Sequence, residues 1–346
     1  MFQRLMPVST SSMSHSITLA DVAKAAHVSI ATASKALNGR QDVAEHTRNK
    51  VQEVAAQLGF VPNTLAKSLL EGKSGTVGLV THDLEGRFSI PLLMGAEDAF
   101  GLNKLSVLLC DARGDSMREG YHLTRLIERR VDGLIIVGAR PDARPSAGFL
   151  PVPIVYAYAP SSSTDDCSVI SDNFEAGRLA VEHLLCLGRT RIAIIGGDPS
   201  YGAATERADG ARDRLAASGL EPVGRQVLYG TWSERWGRAA AKIIIGRNEL
   251  VDGVICGNDQ IARGVLDVFR DVGKNVPEDV AVMGHDNRSI LVEESRPPLT
   301  SIDMNLEDIG RTAARKLAEA IDGSPTKGVI KIAPRVKVRS STIGHS

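Results

Sequence analysis

From Thr76 onward, short runs of β-branched and aliphatic residues alternate with stretches of helical period, and this alternation restricts the fold more than any other feature of the chain. The runs are TVGLV (76–80), LSVLL (105–109), GLIIV (133–137), PIVY (153–156), RIAII (191–195), GVIC (253–256) and VAVM (280–283). Helical spacing of apolar residues lies between them, near 90–102, 116–130, 174–187, 203–218, 232–246 and 259–272. Continuous rather than alternating apolar character marks strands buried on both faces, so βαβ units and parallel sheets follow. Seven strands with six crossovers exceed one comfortable sheet. The reading is an α/β fold with two doubly wound lobes, and a cleft between lobes is the default ligand site.

The segment before Thr76 has a different period. Residues 1–16 are Ser/Met-rich and aperiodic, which reads as a flexible tail, with Met6 or Met13 as alternative starts. Thr18-x-x-Asp21 is a capping-box pattern, followed by Leu19, Val22, Ala23 and Ala26 on one helical face. Ser29 caps a second short helix with Ile30, Ala33 and Leu37 at helical spacing, stopped by Asn38-Gly39. A third helix is expected from about Glu45 to Leu58, with Val51, Val54, Ala55 and Leu58 inward and Gly59 closing it. Three helices, the first two joined by a tight turn, make a helix-turn-helix unit.

Charge and composition narrow the function. The chain is balanced, 41 Lys+Arg against 41 Asp+Glu, yet residues 1–75 hold eight basic and five acidic groups. A net +3 at the front and −3 behind is the sign expected if the front meets a polyanion. Hydrophobic residues at 43% and charged residues at 24% exclude wholesale disorder. No apolar run approaches the roughly 20 residues of a membrane helix. The N-terminal residues lack the apolar core of a secretory signal. Cys110, Cys167, Cys186 and Cys256 show no C-x-x-C spacing, so neither zinc nor a disulfide framework is expected, and a reducing cytoplasm is.

The motifs ITLADVAKAAHVSIATASKALNG (17–39) and HTRNKVQEVAAQLGFVPNTLAKSL (46–69) resemble the DNA-binding segment of the LacI/GalR repressor family. The similarity continues through RRVDGLII (129–136), SDNFEAGRLAVEHLLCLGRTRIAIIGG (171–197), ERADGARDRL (206–215), ICGNDQIARG (255–264), VAVMGHDN (280–287), PPLTSIDMN (297–305) and PRVKVRSST (334–342). It spans about 17–342, with the motifs in the family's order. The resemblance implies a tail (1–16), a helix-turn-helix domain (17–61), a hinge helix and linker (62–75) and an effector-binding and dimerisation domain (76–342). The latter is of periplasmic-binding-protein type, with lobe 1 at about 76–188 and 303–323, lobe 2 at about 189–300 and 326–342, and three crossings. It implies a cytoplasmic, nucleoid-associated, homodimeric regulator of transcription, most simply a repressor. Such a protein is not an enzyme and needs no cofactor or metal.

The second helix of such a unit enters the major groove with its N-terminal residues at base edges. Ile30 and Ala31 occupy those positions and, being apolar, favour thymine methyls. Lys35 stands one turn on, where many relatives have Arg, and lacks the planar fork that selects guanine. Thr18, Ser29, Thr32, Ser34 and Asn38 are small polar groups suited to phosphate contacts. In the hinge, Asn63 is the N-cap expected after Pro62, and Ala66 and Lys67 follow on the same short helix. Leu69 matches the wedge that the family inserts at a central base step, and EGKSG (71–75) is the joint.

The resemblance places the effector site at Arg207, Trp232, Asn258 and Asp286. Guanidinium and carboxylate offer charge-assisted bonds to hydroxyls, the carboxamide offers donor and acceptor, and the indole offers a stacking face. The expected effector is a small polar molecule, a sugar or sugar derivative, with nucleobase-type or sugar-phosphate ligands as the alternative. Trp236 lies one turn from Trp232, and either one could be core. Phe88, Asp111 and His82 follow strands of the first lobe and are weaker candidates.

Other motifs carry less. Gly72-Lys73-Ser74 lacks the earlier glycine of a phosphate loop, since position 67 is Lys67. GGDPSYG (196–202) reads as an ordinary strand-to-helix turn. His285-Asp286, adjacent in sequence, is not expected to converge as a catalytic pair. The last residues, PRVKVRSSTIGHS, carry no leucine heptad, so a dimer is expected rather than a zippered tetramer. Two rivals share the lobes. A transport-type sugar-binding protein would not carry the helix-turn-helix, and a nucleotide- or sugar-phosphate-using enzyme would show a catalytic constellation.

Overall fold

The computed structural model describes residues 17–38, 40, 42–60, 72–83, 88–102, 105–247 and 249–344, which fall into two compact units, 1–72 and 73–346. The expected tail and the hinge residues Asn63, Ala66, Lys67 and Leu69 lie outside the described residues.

The first unit contains α1 (Leu19–Ala26), α2 (Ile30–Leu37) and α3 (Glu45–Gln57). The Thr18 hydroxyl accepts from the Asp21 amide while the Asp21 carboxylate accepts from the Thr18 amide at 2.9 Å, so the capping box meets two of the four orphan amides at this helix start. His27 takes a left-handed φ of 56°, ending α1, and the Ser29 side chain accepts from the Thr32 amide to start α2. Val22, Ala23, Ala26, Ala33, Ala36, Val43, Val51 and Ala55 form the core. Small residues there let three short helices approach closely. Leu58, expected inward, is 37% exposed because α3 ends before it, and Ile30 is 55% exposed.

The second unit has two six-stranded sheets. Its strands are β1 (Thr76–Thr81), β2 (Ser106–Asp111), β3 (Gly133–Val137), β4 (Ile154–Ala157), β5 (Cys167–Ser171), β6 (Ile192–Ile195), β7 (Val227–Leu228), β8 (Gly253–Cys256), β9 (Ala281–His285), β10 (Thr300–Asp303), β11 (Gly328–Ile332) and β12 (Arg335–Lys337). Sheet order is β11-β5-β4-β3-β1-β2 in lobe 1 and β12-β10-β9-β8-β6-β7 in lobe 2. All pairings are parallel except β10 with β12.

Helices cover both faces of each sheet. In lobe 1, α4 (Ser89–Leu102) and α11 (Leu306–Ile321) pack on one face and α5 (Ser116–Glu128) on the other. In lobe 2, α6 (Asn173–Cys186) and α7 (Gly202–Ala216) cover one face, α8 (Glu234–Gly246) and α9 (Asp259–Asp271) the other, and α10 (Ser289–Val292) leads toward β10. Each helix pair crosses at reciprocal glycines: Gly95 with Gly310, Gly177 with Gly210, and Gly237 with Gly264. A Cβ at any of the six would come within 2.1 Å of a facing carbonyl oxygen.

The lobe boundaries differ from the expected ones in two places. Helix α6, expected in lobe 1, packs on α7 and the sheet of lobe 2, because the chain crosses directly after β5. Strand β11, expected in lobe 2, pairs with β5 at the edge of sheet 1. The three crossings fall at 171–173, 303–306 and 332–335.

Candidate functional site

The first candidate surface is the N-terminal end of α2. Ile30 and Ala31 are exposed on its first turn, and a large apolar side chain in water there is available to a base-edge methyl. Ser29 is exposed, with its hydroxyl 2.8 Å from that of Thr32. Asn38 donates its side-chain amide to the Ser34 carbonyl at 2.9 Å, so these polar groups cap the helix as well as edging its exposed end. Lys35 is exposed and ion-paired with Asp42 at 2.6 Å. Thr18 is exposed and occupied by its capping box.

The second is a cleft of about 520 Å³ between the lobes. His82, Asp83, Phe88, Ala139, Pro141 and Tyr158 line it from lobe 1; Tyr201, Ala203, Arg207, Trp232, Asn258, Asp286 and Arg288 line it from lobe 2. All four residues singled out in the sequence meet here, as do His82 and Phe88, whereas Asp111 does not line it and instead caps its own turn through the Arg113 amide. The loops after β1, β3, β4, β6, β7, β8 and β9 supply the lining, which is where parallel sheets present ligand groups.

Arg207 is half-buried. Its Nε donates to Asn173 Oδ1 at 2.9 Å and its Nη1 to the Gly257 carbonyl at 2.8 Å, so the guanidinium is aimed by neutral acceptors. Burial pushes it down from its ordinary range, and the nearby Asp286 charge works against that push. The two form no ion pair among the described residues, which leaves each able to bond a ligand. Asp286 has φ 97° and Asn287 φ 51°, a left-handed turn at the end of β9 that carries strain of about 1–3 kcal/mol per residue. One Asp286 oxygen lies 2.9 Å from His285 Nδ1. The His285 ring is buried, pushed down to about 4 by burial and then by the Arg207 charge, and it does not line the cleft.

Asn258 caps α9, its Oδ1 accepting from the Ile261 amide at 2.8 Å, while its Nδ2 makes no hydrogen bond within the described residues. Asp259 beside it is buried, which, with the Asp286 charge, pushes its carboxyl well above the usual range; Ser301 and the Arg288 amide donate to it. The tryptophan ambiguity resolves. Trp236 donates its Nε1 to the Gly196 carbonyl at 2.9 Å within the lobe, and Trp232 lies before α8 and lines the cleft.

Sequence reasoning missed the aromatic pairs. Phe88 and Tyr158 stack at 5.0 Å on the lobe 1 side, and Tyr201 meets Trp232 edge-on at 5.7 Å on the lobe 2 side. Tyr201 comes from the GGDPSYG turn, which therefore shapes the cleft mouth. Contacts join the lobes there: Arg140 lies 3.6 Å over the Tyr201 ring and donates to the Ser200 carbonyl at 3.3 Å, and Asp142 accepts from the Gly202 amide at 2.6 Å.

Residues 18–63 match the family model described as bacterial regulatory proteins, lacI family, and residues 181–342 match a periplasmic binding protein-like domain. Catabolite control protein A of Priestia megaterium is 31% identical over 336 residues, covering 94% of this chain and 99% of that protein. The chain belongs to the lacI family of bacterial regulatory proteins. A transcriptional regulator CelR–cellobiose complex aligns with TM-score 0.63 and 30% identity over 94% of this chain and 99% of that one. The lac repressor dimer bound to operator and the anti-inducer ONPF aligns with TM-score 0.73 and 26% identity over 95% and 99%. This lacI-family chain is thus a DNA-binding transcription regulator under effector control, not an enzyme, with the helix-turn-helix as its DNA module and the lobes as its effector module. No helix among the described residues is long and apolar enough to cross a membrane.

Proposed function

We propose that the chain is a homodimeric, cytoplasmic repressor that binds a pseudo-palindromic operator and whose hold on DNA is set by a carbohydrate or carbohydrate derivative in the cleft. The observation that carries this is the composition of the cleft: a half-buried guanidinium, a carboxylate with one oxygen unbonded among the described residues, an open carboxamide and aromatic faces around about 520 Å³. This is the equipment for a neutral polyol, whose hydroxyls need donors and acceptors and whose ring carbons need an apolar wall. The cellobiose in the CelR complex supports the ligand class.

A dimer is supported by exposed apolar residues on edge strand β2 of lobe 1, Leu108 and Leu109, and on the helices before and after it, Ile90 and Met94 on α4 and Met117 and Tyr121 on α5. Two-fold symmetry then calls for two half-sites, an operator of about 14–20 base pairs. Ile30 and Ala31 would meet bases, with Ser29, Thr32, Ser34, Lys35, Asn38 and Thr18 at the backbone. The hinge residues Asn63, Ala66, Lys67 and Leu69 would act in the minor groove.

The test is calorimetry with neutral mono- and disaccharides, nucleobases and sugar phosphates, with mobility shifts on genomic fragments. Asp286→Ala should lower ligand affinity at least about fivefold by stripping a buried donor of its acceptor, and leave operator binding within a few-fold. A sugar bound equally by both proteins, or loss of DNA binding in the variant, would overturn the placement. Binding of a nucleobase or sugar phosphate alone would favour that alternative ligand class.

A further inference from the structure

Lobe 1 contributes to the cleft a buried polar network that the sequence motifs do not reveal. His82 follows β1, Glu119 lies on the first turn of α5, and Arg144 sits in the loop after β3. His82 Nε2 lies 2.5 Å from Glu119 Oε2, and Arg144 donates to both Glu119 oxygens, to Oε2 at 2.8 Å. The His82 and Glu119 side chains are 8% and 10% exposed. Burial alone would raise the Glu119 carboxyl, but hydrogen bonds from His82 and Arg144 outweigh it and hold it at about 2.

An ionised carboxylate only accepts, so the proton in the His82–Glu119 contact belongs to Nε2. With that single proton on Nε2, Nδ1 offers a lone pair, and a second proton would turn it into a donor. It is buried and has no partner among the described residues, although the ring itself lines the cleft. A buried polar atom left unpaired in an otherwise satisfied network points to a partner that arrives with the ligand. Trp232, on the opposite wall, shows the complementary feature: its Nε1 donor is buried without an acceptor among the described residues.

We infer that His82 is the acceptor through which lobe 1 selects the effector, Nδ1 taking a hydrogen from a ligand hydroxyl or amine while Trp232 Nε1 donates to a ligand oxygen. Glu119 and Arg144 are positioning residues: they fix the tautomer and the ring plane, as the outer partners of metal-binding histidines do. The inference rests on the cleft being the effector site and narrows its ligand to molecules with an O–H or N–H at the lobe 1 end. A ligand whose hydroxyl there is methylated has no hydrogen to give and is refused.

Two substitutions separate ligand recognition from packing. His82→Gln places a carboxamide against Glu119 and removes the acceptor at the Nδ1 position. His82→Asn places a carboxamide oxygen near Nδ1 and gives up the Glu119 bond. Calorimetry of the full-length protein with glucose, galactose, cellobiose and their O-methyl ethers reads the difference. His82→Gln should bind the preferred sugar at least about fivefold more weakly with a nearly unchanged melting temperature, and His82→Asn should retain affinity within about threefold. Wild-type affinity in His82→Gln, or the opposite order of the two variants, overturns the inference. Long-range ¹⁵N spectra of histidine-labelled protein give an arm independent of the sugar. A ligand-free Nε2–H tautomer at His82 supports the inference and an Nδ1–H tautomer overturns it. If no member of the sugar series binds wild type, the carbohydrate reading falls, and the tautomer still decides the role of His82.

Discussion

Gly177→Ala is the sharpest perturbation of the link between packing and effector site. Gly177 lies on α6 where it crosses α7, and a Cβ there would sit 1.9 Å from the Arg207 carbonyl oxygen and 2.8 Å from the Ala211 amide nitrogen. Both contacts are backbone, so no side chain can rotate away. Restoring even a 3.0 Å contact requires the two helices to part by about an ångström. Overpacking of this kind costs about 1–3 kcal/mol, and alanine's better helix propensity returns about 1 kcal/mol of it. The expected net loss is therefore about 0–2 kcal/mol, at most a few degrees in melting temperature for a domain of this size. The functional effect should be larger, because the displaced carbonyl belongs to Arg207 itself. A shift of about an ångström breaks the bonds that aim its guanidinium at the cleft, and effector affinity should fall at least about tenfold. Calorimetric unfolding and ligand titration of the two proteins measure both quantities, with a mobility shift as control for the DNA module. A variant that melts with wild type and binds the effector equally well would refute the reasoning that the helix crossing positions Arg207.

Three further outcomes are expected. Lys35→Ala should cost roughly 1–3 kcal/mol of operator binding and relax preference at one half-site position if Lys35 reads a base. Equal loss on all sequences in a competition assay would make it a phosphate contact. For Glu119, the native carboxyl is depressed from 4.5 to about 2, so its stabilisation is present above about pH 4.5 and is lost as pH falls through about 2. The stability gap between wild type and Glu119→Gln, up to about 3 kcal/mol near neutrality, should therefore close over that window in acid unfolding curves. Asp142→Ala removes the acceptor for the Gly202 amide across the cleft mouth, and should weaken effector binding several-fold while changing melting by less than a few degrees.

How much of this was legible in the sequence depended on whether a residue's environment was apolar or polar. β3, β8 and β9 read as strands because parallel strands buried on both faces are continuous apolar runs. β10 did not, because its Thr300 and Ser301 are wholly buried through hydrogen bonds to Ser341 and Asp259, partners far along the chain. β11 escaped because it is an edge strand with alternating exposure. The lobe assignment of α6 depended on where the chain crosses, and nothing local to Ser171–Asn173 marks a crossing. In the cleft, Arg207, Trp232, Asn258 and Asp286 were accessible through motif resemblance. Tyr201, Arg288 and Tyr158 belong to loops whose convergence only the sheet order reveals. The rule that ligands gather at the carboxyl ends of parallel strands would have pointed to those loops, though not to the aromatic pairs within them.

The triple crossing also sets an order of events during synthesis. The helix-turn-helix unit is contiguous, so it can fold as soon as it leaves the ribosome. Lobe 1 cannot close until its last pieces arrive, since α11 and β11 follow the whole stretch of chain that builds sheet 2 from β6 to β10. Until then the face of α4 that carries Leu92, Ala96, Ala99 and Phe100 lacks its cover from Ile309, Ala313 and Leu317. The nascent regulator therefore carries a finished DNA module ahead of an unfinished, sticky sensor. Long-range closure of this kind is slow and exposes the intermediate to aggregation. A chain stopped before residue 306 would leave that face bare, which makes the fold's final segment a checkpoint on whether a complete sensor accompanies each DNA-binding head.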